Sequence, residues 1–587
     1  MARTVYRDHE VSMHAWAFLL GTLGSFALLS GARAQCSSVS ITNDWGGSYM
    51  AKFSATSGSS FVGLTVELTF DQSVSNLEFY AGVVEWHDDK YFKLVSSGWQ
   101  AEPGWDVEFE FKVDYAGAKP SVIAAVMNGA DTCGGGGVVT QPPMESPCDP
   151  TGMTPYDYGQ ALCLSYLFYE AQRSGPLPAD QRVTWRKDSA VNDGSDVGRD
   201  LSGGYYDAGD FVKFGFPMAF TATVLAWGLV DFPAGHQTAG QTEYARAAVK
   251  WATDYFLKAH TSYFELYGQV GDGYADHAYW GRPEEMTMAR PSMKIDNDHP
   301  GTELAGETAA ALAAASIAFK DSDPTYASQM LEVAKELYDF ADQRRENYDV
   351  SIPGAADFYK SWSGYGDELC WAALWLARAT GDSSYMTKAR QHWDEFGISN
   401  GADGFNWDDK KGGVYALYAL LDSDPTFSGA LAGFVEHIRN DKPYTPGGLV
   451  FLDPWGANRH AANVAYIALM AAKLGIDVDV NRQWAQQQVD CLLGSTGRSF
   501  VVGFGNNPPQ RPHHRASSCP NPPASCTDGW AQNNPGPNPQ VLFGALVGGP
   551  SQDGSYNDDR NDYVHNEVAC DYNAGFSAAL AALVELH

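Results

Sequence analysis

Basic side chains are the scarcest feature of this 587-residue chain: 39 Lys and Arg stand against 71 Asp and Glu, a formal net charge of −32. A surface so acidic repels phosphate backbones and anionic lipid, which argues against nucleic acid and membrane surfaces as partners. Charged residues of both signs make up only 19% of the chain and hydrophobic ones 44%, a balance that excludes wholesale disorder. No N-x-S/T sequon occurs, so N-linked glycosylation is not expected. No pair among the nine cysteines has zinc-site spacing. Beyond one N-terminal run, no segment is apolar and long enough to span a membrane.

What the chain has in abundance is glycine and aromatics, with 60 Gly, 17 Trp and 30 Tyr. Aromatic faces stack on apolar sugar faces while carboxylates accept hydroxyl hydrogen bonds, so a neutral polyhydroxylated ligand suits this composition. The run "AWAFLLGTLGSFALLSG" followed by Ala32-Arg33-Ala34 reads as a secretory signal over residues 1–34, cleaved near Gln35, with a membrane anchor as the alternative. Arg3, Arg7, Asp8 and Glu10 make a mixed leader rather than a basic one, so initiation at Met13 is a second reading of the start. A secreted chain permits disulfides.

At this length two or more domains are expected. Residues 36–133 read as an antiparallel β-sandwich, because "LTVELTF" and "WDVEFEFKV" alternate apolar and polar side chains. Trp105 is read either as a surface residue or as part of the core through that alternation. Cys36 and Cys133 bracket the segment and make a natural staple. Residues 134–150, opening "GGGGVVTQPPMESP", are a Gly- and Pro-rich linker. Residues 151–587 are helical: "ELAGETAAALAAASIAFK", "DELCWAALWLARAT" and "AANVAYIALMAAKLGI" are apolar nearly all round and belong in a core. Three connectors, "KDSDPTY", "ATGDSSY" and "LDSDPTF", each close one helix and open the next, which predicts stacked helical hairpins. Cys163, Cys370 and Cys491 lie in such text and read as buried thiols. "CPNPPASC" reads as a loop-closing Cys519–Cys526 disulfide.

Asp, His, Arg and Trp concentrate in Gly- and Pro-rich loops between the apolar helices, the usual place for a site. "YYDAGDF" holds Asp207 and Asp210 three residues apart with nothing bulky or basic between them. Such a pair serves as a turn or helix cap, or else as a functional carboxylate pair. Glu567 stands between Tyr563 and Tyr572, where desolvation would raise its pKa as a general acid requires. His513 and Arg515 project from a Pro-constrained loop.

Together "YYDAGDFVKFGFP", "SFVVGFGNNPPQRPHHR" and "YNDDRNDYVHNEVACDYNAG" resemble the signature segments of glycoside hydrolase family 9, the inverting cellulases, in the family's order from about residue 155 onward. The resemblance implies an (α/α)6 barrel, hence a multidomain protein with an N-terminal antiparallel β-sandwich and an all-α catalytic domain. It implies Glu567 as general acid, Asp210 as base and Asp207 as its partner on the attacking water. An inverting hydrolase sets its two carboxyl groups roughly 6.5–9.5 Å apart so that water fits between base and sugar. The likeness further implies that Asp558 orients groups around the acid and that His513 and Arg515 bind the sugar on the reducing side of the cut. His277, Tyr359, Trp362, Trp455, Arg459 and Tyr572 match sugar-contacting positions, with core packing as the alternative for each aromatic. His460 stands where the family has an aromatic residue.

No cofactor is required for this chemistry. "SGYGDE" and "NWDDK" resemble a family calcium site, giving Ser363, Gly364, Asp367, Glu368 and Asp408 as oxygen donors, with an acid-rich helix start as the alternative. Residues 36–133 resemble a family 2 carbohydrate-binding module, which implies a cellulose-binding strip of Trp45, Trp86 and Trp99. The expected protein is therefore a secreted, monomeric endo-β-1,4-glucanase acting on cellulose and soluble β-1,4-glucans. The alternatives are a non-catalytic cellulose-binding protein, and an exo-acting or other β-glucan hydrolase on the same fold.

Overall fold

Alternation decides the N-terminal unit. The computed structural model describes residues 36–586 apart from 37, 58–59, 88, 129, 133–145, 153–155 and 535. The expected signal segment and most of the expected linker lie outside these residues. The chain divides into two units, one ending at Met144 and the other running Glu145–His587. In the first, strands β1 (Val39–Asp44), β2 (Ser48–Thr56), β3 (Phe61–Phe70), β4 (Asn76–Phe79), β5 (Val83–His87), β6 (Tyr91–Ala101), β7 (Asp106–Asp114), β8 (Val122–Met127) and β9 (Ala130–Asp131) form two antiparallel sheets. Their orders are β1-β2-β7-β4 and β5-β6-β3-β8-β9. Leu64, Val66, Leu68 and Phe70 of β3 and Val107, Phe109, Phe111 and Val113 of β7 point inward into one core, their polar neighbours outward. Phe53 stacks on Phe109 at 4.8 Å across the β2–β7 pair. Cys36 is disulfide-bonded, and its expected partner Cys133 lies outside the described residues.

The structure moves Trp105 out of the core. It shares the phase of Val107 and Phe109, but the chain turns through Gly104 at φ +89° and β7 begins only at Asp106. Trp105 is 56% exposed.

Among the described residues of the second unit, twelve helices have eleven residues or more: α1 (Tyr158–Gln172), α2 (Gly215–Asp231), α3 (Thr242–Ala259), α4 (Thr302–Phe319), α5 (Pro324–Gln343), α6 (Gly366–Thr380), α7 (Ser383–Glu395), α8 (Lys411–Leu421), α9 (Pro425–Asp441), α10 (Ala457–Lys473), α11 (Val478–Leu493) and α12 (Cys570–Leu586). The even-numbered six touch one another in a closed ring, α2-α4-α6-α8-α10-α12 and back to α2. Those six are the apolar stretches of the sequence, and burial on all sides follows from their composition. α3, α5, α7, α9 and α11 keep a solvent face and alternate outside the ring. This is the (α/α)6 barrel.

The three connectors behave as capped turns: Asp323, Asp382 and Asp424 accept the N–H groups of Tyr326, Ser384 and Thr426, and Pro324 and Pro425 occupy the first turn. Inside the ring, Trp227, Trp371, Trp375 and Tyr466 meet edge to face at centroid distances of 5.1–5.8 Å. They fill the axis, so any cleft must open at an end of the barrel. The Cys519–Cys526 bridge is present. Cys163 is not a free thiol: it pairs with Cys148 across a separation of 15 residues and ties the start of the unit to α1. Among the described residues the free cysteines are Cys370, Cys491 and Cys570, all buried.

Candidate active site

Segments that lead into inner helices carry most of the candidate residues: 205–214 before α2, 273–300 before α4, 353–365 before α6, 452–456 before α10, and 513–515 and 558–567 before α12. Inner helices of a closed ring that alternate with outer ones run the same way, so these segments collect at one end.

Asp207 and Asp210 sit on a tight loop locked by its own backbone. The Asp210 carboxylate accepts the N–H groups of Ala208 (3.1 Å) and Val212 (3.3 Å), and the Asp207 N–H donates to the Val212 carbonyl. Gly209 has no room for a side chain, since a Cβ there would lie 2.1 Å from the His513 carbonyl oxygen. The Arg515 N–H donates to the Gly209 carbonyl at 3.0 Å, which joins the carboxylate loop to the His-Arg loop. Gln172 completes the seam, donating to the Ala208 carbonyl at 2.6 Å while its Oε1 lies 2.8 Å from His514 Nε2.

The two carboxyl groups are driven apart in proton affinity. Burial first, then the charges of Asp210 and Asp571, push Asp207 well above the usual carboxylate range. Asp210 is also pushed up by burial, but His277, Arg515 and the Ala208 N–H outweigh it and leave Asp210 below that range. The proton is thus favoured on Asp207 and the charged form on Asp210, the split in affinity that a base working beside a second carboxyl group requires. The Tyr359 hydroxyl donates to Asp207 Oδ2, and the Tyr359 ring is wedged between Phe214 and Trp407.

Glu567 is held from another element. Its Oε2 accepts Trp455 Nε1–H at 2.9 Å and the Tyr572 hydroxyl at 3.2 Å. Burial raises its pKa to about 7, Asp210 adds to the rise, and the Trp455 bond, Arg459 and the Tyr572 bond oppose it. A carboxyl group that keeps its proton to about neutral pH is an acid ready to protonate a leaving oxygen.

The other candidates divide into cleft and support. His277 is 43% exposed by its side chain, with Nε2 3.7 Å from Asp210 Oδ2 and its ring edge-on to Phe358. Trp362 is 76% exposed and Trp455 44%, so both offer open faces. His513 gives its Nδ1–H to the Arg560 carbonyl at 2.7 Å, and burial lowers its pKa to about 4, leaving a neutral ring whose Nε2 is an acceptor. Three residues are engaged by protein groups instead. Arg515 is buried, its Nη1 on Asp276 Oδ1 at 2.7 Å. Arg459 is buried against Asp571 at 2.8 Å. Asp558 accepts the Gln510 and Arg511 N–H groups at 2.8 and 3.0 Å and thus orders the His-Arg loop rather than touching Glu567. His460 is buried in α10 beside Arg459.

Sequence reading missed Asp276 and Asp571. The first stands beside His277 in "GYADHAYWG" and accepts the Phe211 N–H as well as Arg515. Ligand atoms of Asp210, Asp276 and His277 lie within 4.8 Å of one another. Arg515 already neutralises Asp276 there, so the cluster is a brace for the loop and not a cation site.

The calcium candidates do gather. Ser363 Oγ donates to the Asp408 carbonyl at 2.7 Å and lies 3.4 Å from Asp367 Oδ1, and Gly364 is in the same turn. Asp367 and Glu368 are buried, and burial raises both, Asp367 to about 6 and Glu368 well above its ordinary value. Asp408 is raised by burial too. Lys410 is buried among them, 2.9 Å from Glu368 Oε1, yet Glu368 Oε2 has no hydrogen-bond partner. Ser363, Asp367 and Asp408 meet through oxygen atoms of the kind a hard dication takes, while Glu368 adds a buried carboxylate oxygen beside Asp367 on the same helix start and is bonded to Lys410 rather than to them.

In the sandwich unit Trp45 is 60% exposed in the β1–β2 turn, and Trp99 on β6 is half-buried against the core. The side chain of Trp86 lies outside the described residues. Tyr80, at 58%, is a further exposed aromatic.

A helical barrel that gathers a buried carboxyl group of raised pKa and a carboxylate pair split in proton affinity at one end has the parts of an acid–base site. The chain belongs to glycosyl hydrolase family 9, whose sequence model matches residues 158–580. It is 47% identical over 449 residues to endoglucanase B of Cellulomonas fimi, covering 73% of this chain and 42% of that protein, less than half its length. Among solved structures it is similar to an endoglucanase from the termite Nasutitermes takasagoensis, with 60% identity, a TM-score of 0.73, and coverage of 74% of this chain and 99% of that one. Clostridium thermocellum endoglucanase CelQ, solved with cellobiose and cellotriose, is 37% identical with a TM-score of 0.65, covering 73% and 71%.

Proposed function

We propose that this chain is an endo-acting β-1,4-glucanase that hydrolyses cellulose and soluble β-1,4-glucans with inversion. One observation carries the reading: Glu567, held by Trp455 and Tyr572, and the pair Asp207 and Asp210 stand at one end of the barrel. Burial raises Glu567 to about 7, burial and Asp210 raise Asp207, and His277 and Arg515 lower Asp210 against its burial. Glu567 protonates the glycosidic oxygen as the bond breaks. Asp210 takes a proton from a water that Asp207 helps to hold, and that water attacks the anomeric carbon from the opposite face. Trp362 and Trp455 offer aromatic faces to glucose rings, and His277 and His513 Nε2 offer polar contacts. The similarity to endoglucanases supports the substrate class and endo action. All these residues come from one chain, which suits a monomer. Among the described residues no helix is long and apolar enough to cross a membrane, and with the apolar N-terminal run this supports secretion.

Proton NMR during hydrolysis of a soluble cello-oligosaccharide tests the mechanism. The α-anomer is expected first; a β-anomer first means retention and overturns the role of the Asp207/Asp210 pair. In the same preparation, depletion from solution by microcrystalline cellulose is expected, because the sandwich unit exposes Trp45 and supports a cellulose-binding module of the family 2 kind. No depletion removes that module reading and leaves the catalytic one intact.

Ser363, Gly364, Asp367, Glu368 and Asp408 would hold calcium, which would brace the Trp362 turn and take no part in bond cleavage. The thermal midpoint is expected to fall on treatment with EDTA and to return with Ca²⁺, and Glu368→Gln is expected to erase that difference. An unchanged midpoint on chelation, with no bound calcium by elemental analysis, would show the site to be a purely protein-bonded turn.

A further inference from the structure

Two ionic residues behind the acid have no part in the reaction described so far. Arg459 on α10 and Asp571 on α12 pair through Nη1 and Oδ2 at 2.8 Å, at 8% and 0% exposure. Both are taken up by protein groups, Asp571 by Arg459 and Arg459 by Asp571 and the Trp455 carbonyl. Yet Arg459 touches both groups that hold Glu567. Its Nη2 donates to the Trp455 carbonyl at 3.2 Å, and its guanidinium lies over the Tyr572 ring at 4.8 Å. Trp455 Nε1 and the Tyr572 hydroxyl are the two donors on Glu567 Oε2. Beside Arg459 Nη2, at 3.3 Å, His460 Nε2 belongs to an imidazole that burial and the guanidinium keep neutral, so His460 supplies an acceptor and no countercharge. That charge comes from Asp571.

We propose that Arg459 and Asp571 act as one positioning unit: Arg459 fixes Trp455 and Tyr572 on the acid, and Asp571 cancels the guanidinium charge that would otherwise strip Glu567 of its proton. The inference rests on Glu567 being the general acid. A buried guanidinium without a partner would favour the carboxylate form of any acid nearby. Of the other groups facing Glu567, Asp210 also favours its protonated form, but Asp571 is the carboxylate bonded to the guanidinium itself. Asp207 and Asp210 on the carboxylate loop and Tyr359 before α6 are engaged with each other or with His277, and Tyr572 is a neutral donor. His513 meets Glu567 through backbone, and its ring is neutral.

The test is the pH profile of kcat/KM on a cello-oligosaccharide. In Asp571→Asn the fall in rate on the alkaline side is expected to move to lower pH by on the order of one unit, with activity persisting at acidic pH. Removing both charges in Asp571→Asn/Arg459→Met is expected to bring that limb back toward its original position. A purely structural role lowers the rate at every pH and leaves the limb in place, and that result overturns the proposal. Should Asp571→Asn fail to fold by circular dichroism, Arg459→Met alone carries the test, because it removes the guanidinium charge that lowers Glu567 and so moves the limb upward; an unmoved limb there is equally fatal. Glu567→Gln separates the two levels. If it retains the wild-type rate and alkaline limb, the acid assignment itself fails. If it is inactive while Asp571→Asn leaves the limb unmoved, the acid stands and the positioning unit does not.

Discussion

Glu567→Gln is expected to lower kcat on cello-oligosaccharides by about 10²–10⁴-fold, the usual span for removing a positioned acid. Gln keeps the volume and can still accept from Trp455 and Tyr572, so binding should change little and the loss should fall on kcat. The decisive comparison uses an aryl cellobioside whose leaving phenolate needs no proton. On that substrate the variant should retain most of the wild-type rate, and the alkaline limb of its pH profile should vanish. The direction follows from the raised pKa of about 7: the acid works while protonated, so wild-type kcat/KM on a natural glucan falls as pH rises through about that value. A variant equally slow on both substrates would assign Glu567 to something other than proton donation.

Asp210→Asn is expected to cost as much, about 10²–10⁴-fold, but without rescue by the activated substrate, because the water still lacks a base. The substitution also removes the charge that keeps the proton on Asp207, so Asp207 should ionise at lower pH than before. Any residual activity of the variant should rise with pH as Asp207 takes over part of the role of base. Steady-state profiles on both substrates check this. Rescue of Asp210→Asn by the activated leaving group would exchange the acid and base assignments.

The parts of this molecule that were legible from sequence are those whose physics is local. Strand alternation in β3 and β7 and the capped connectors at Asp323, Asp382 and Asp424 need only neighbours within a few residues. The stretches that hold Asp207, Asp210 and Glu567 are legible as family-like segments, and the family model spans all three. What escaped were charges that matter only once distant segments meet. Asp276 finds Arg515 across 239 residues, and Asp571 finds Arg459 across 112. Neither acid is distinctive in its own stretch, where each reads as a helix-start carboxylate. Arg459 matches a sugar-contacting position in the family-like segment that also holds Trp455, and its buried pairing with Asp571 depends on a residue 112 positions away. Cys163 misled for a similar reason: apolar helical text suggests a buried thiol, and its partner Cys148 sits at the edge of the linker.

The contact between Gly209 and the His513 carbonyl bears on how such an enzyme can change. Because the carboxylate loop and the His-Arg loop meet main chain to main chain, with the Arg515 N–H on the Gly209 carbonyl, neither can be exchanged for a relative's loop of different backbone path by itself. The loop bearing Trp362 is tied to its neighbour through side chains instead, with the Trp362 N–H on Asp408 Oδ1 and the Ser363 hydroxyl on the Asp408 carbonyl. Recombination between relatives should therefore tolerate crossovers that shuffle that loop and reject those that part residues 205–212 from 509–517, so that substrate range diversifies while the water-activating centre is inherited as a single block.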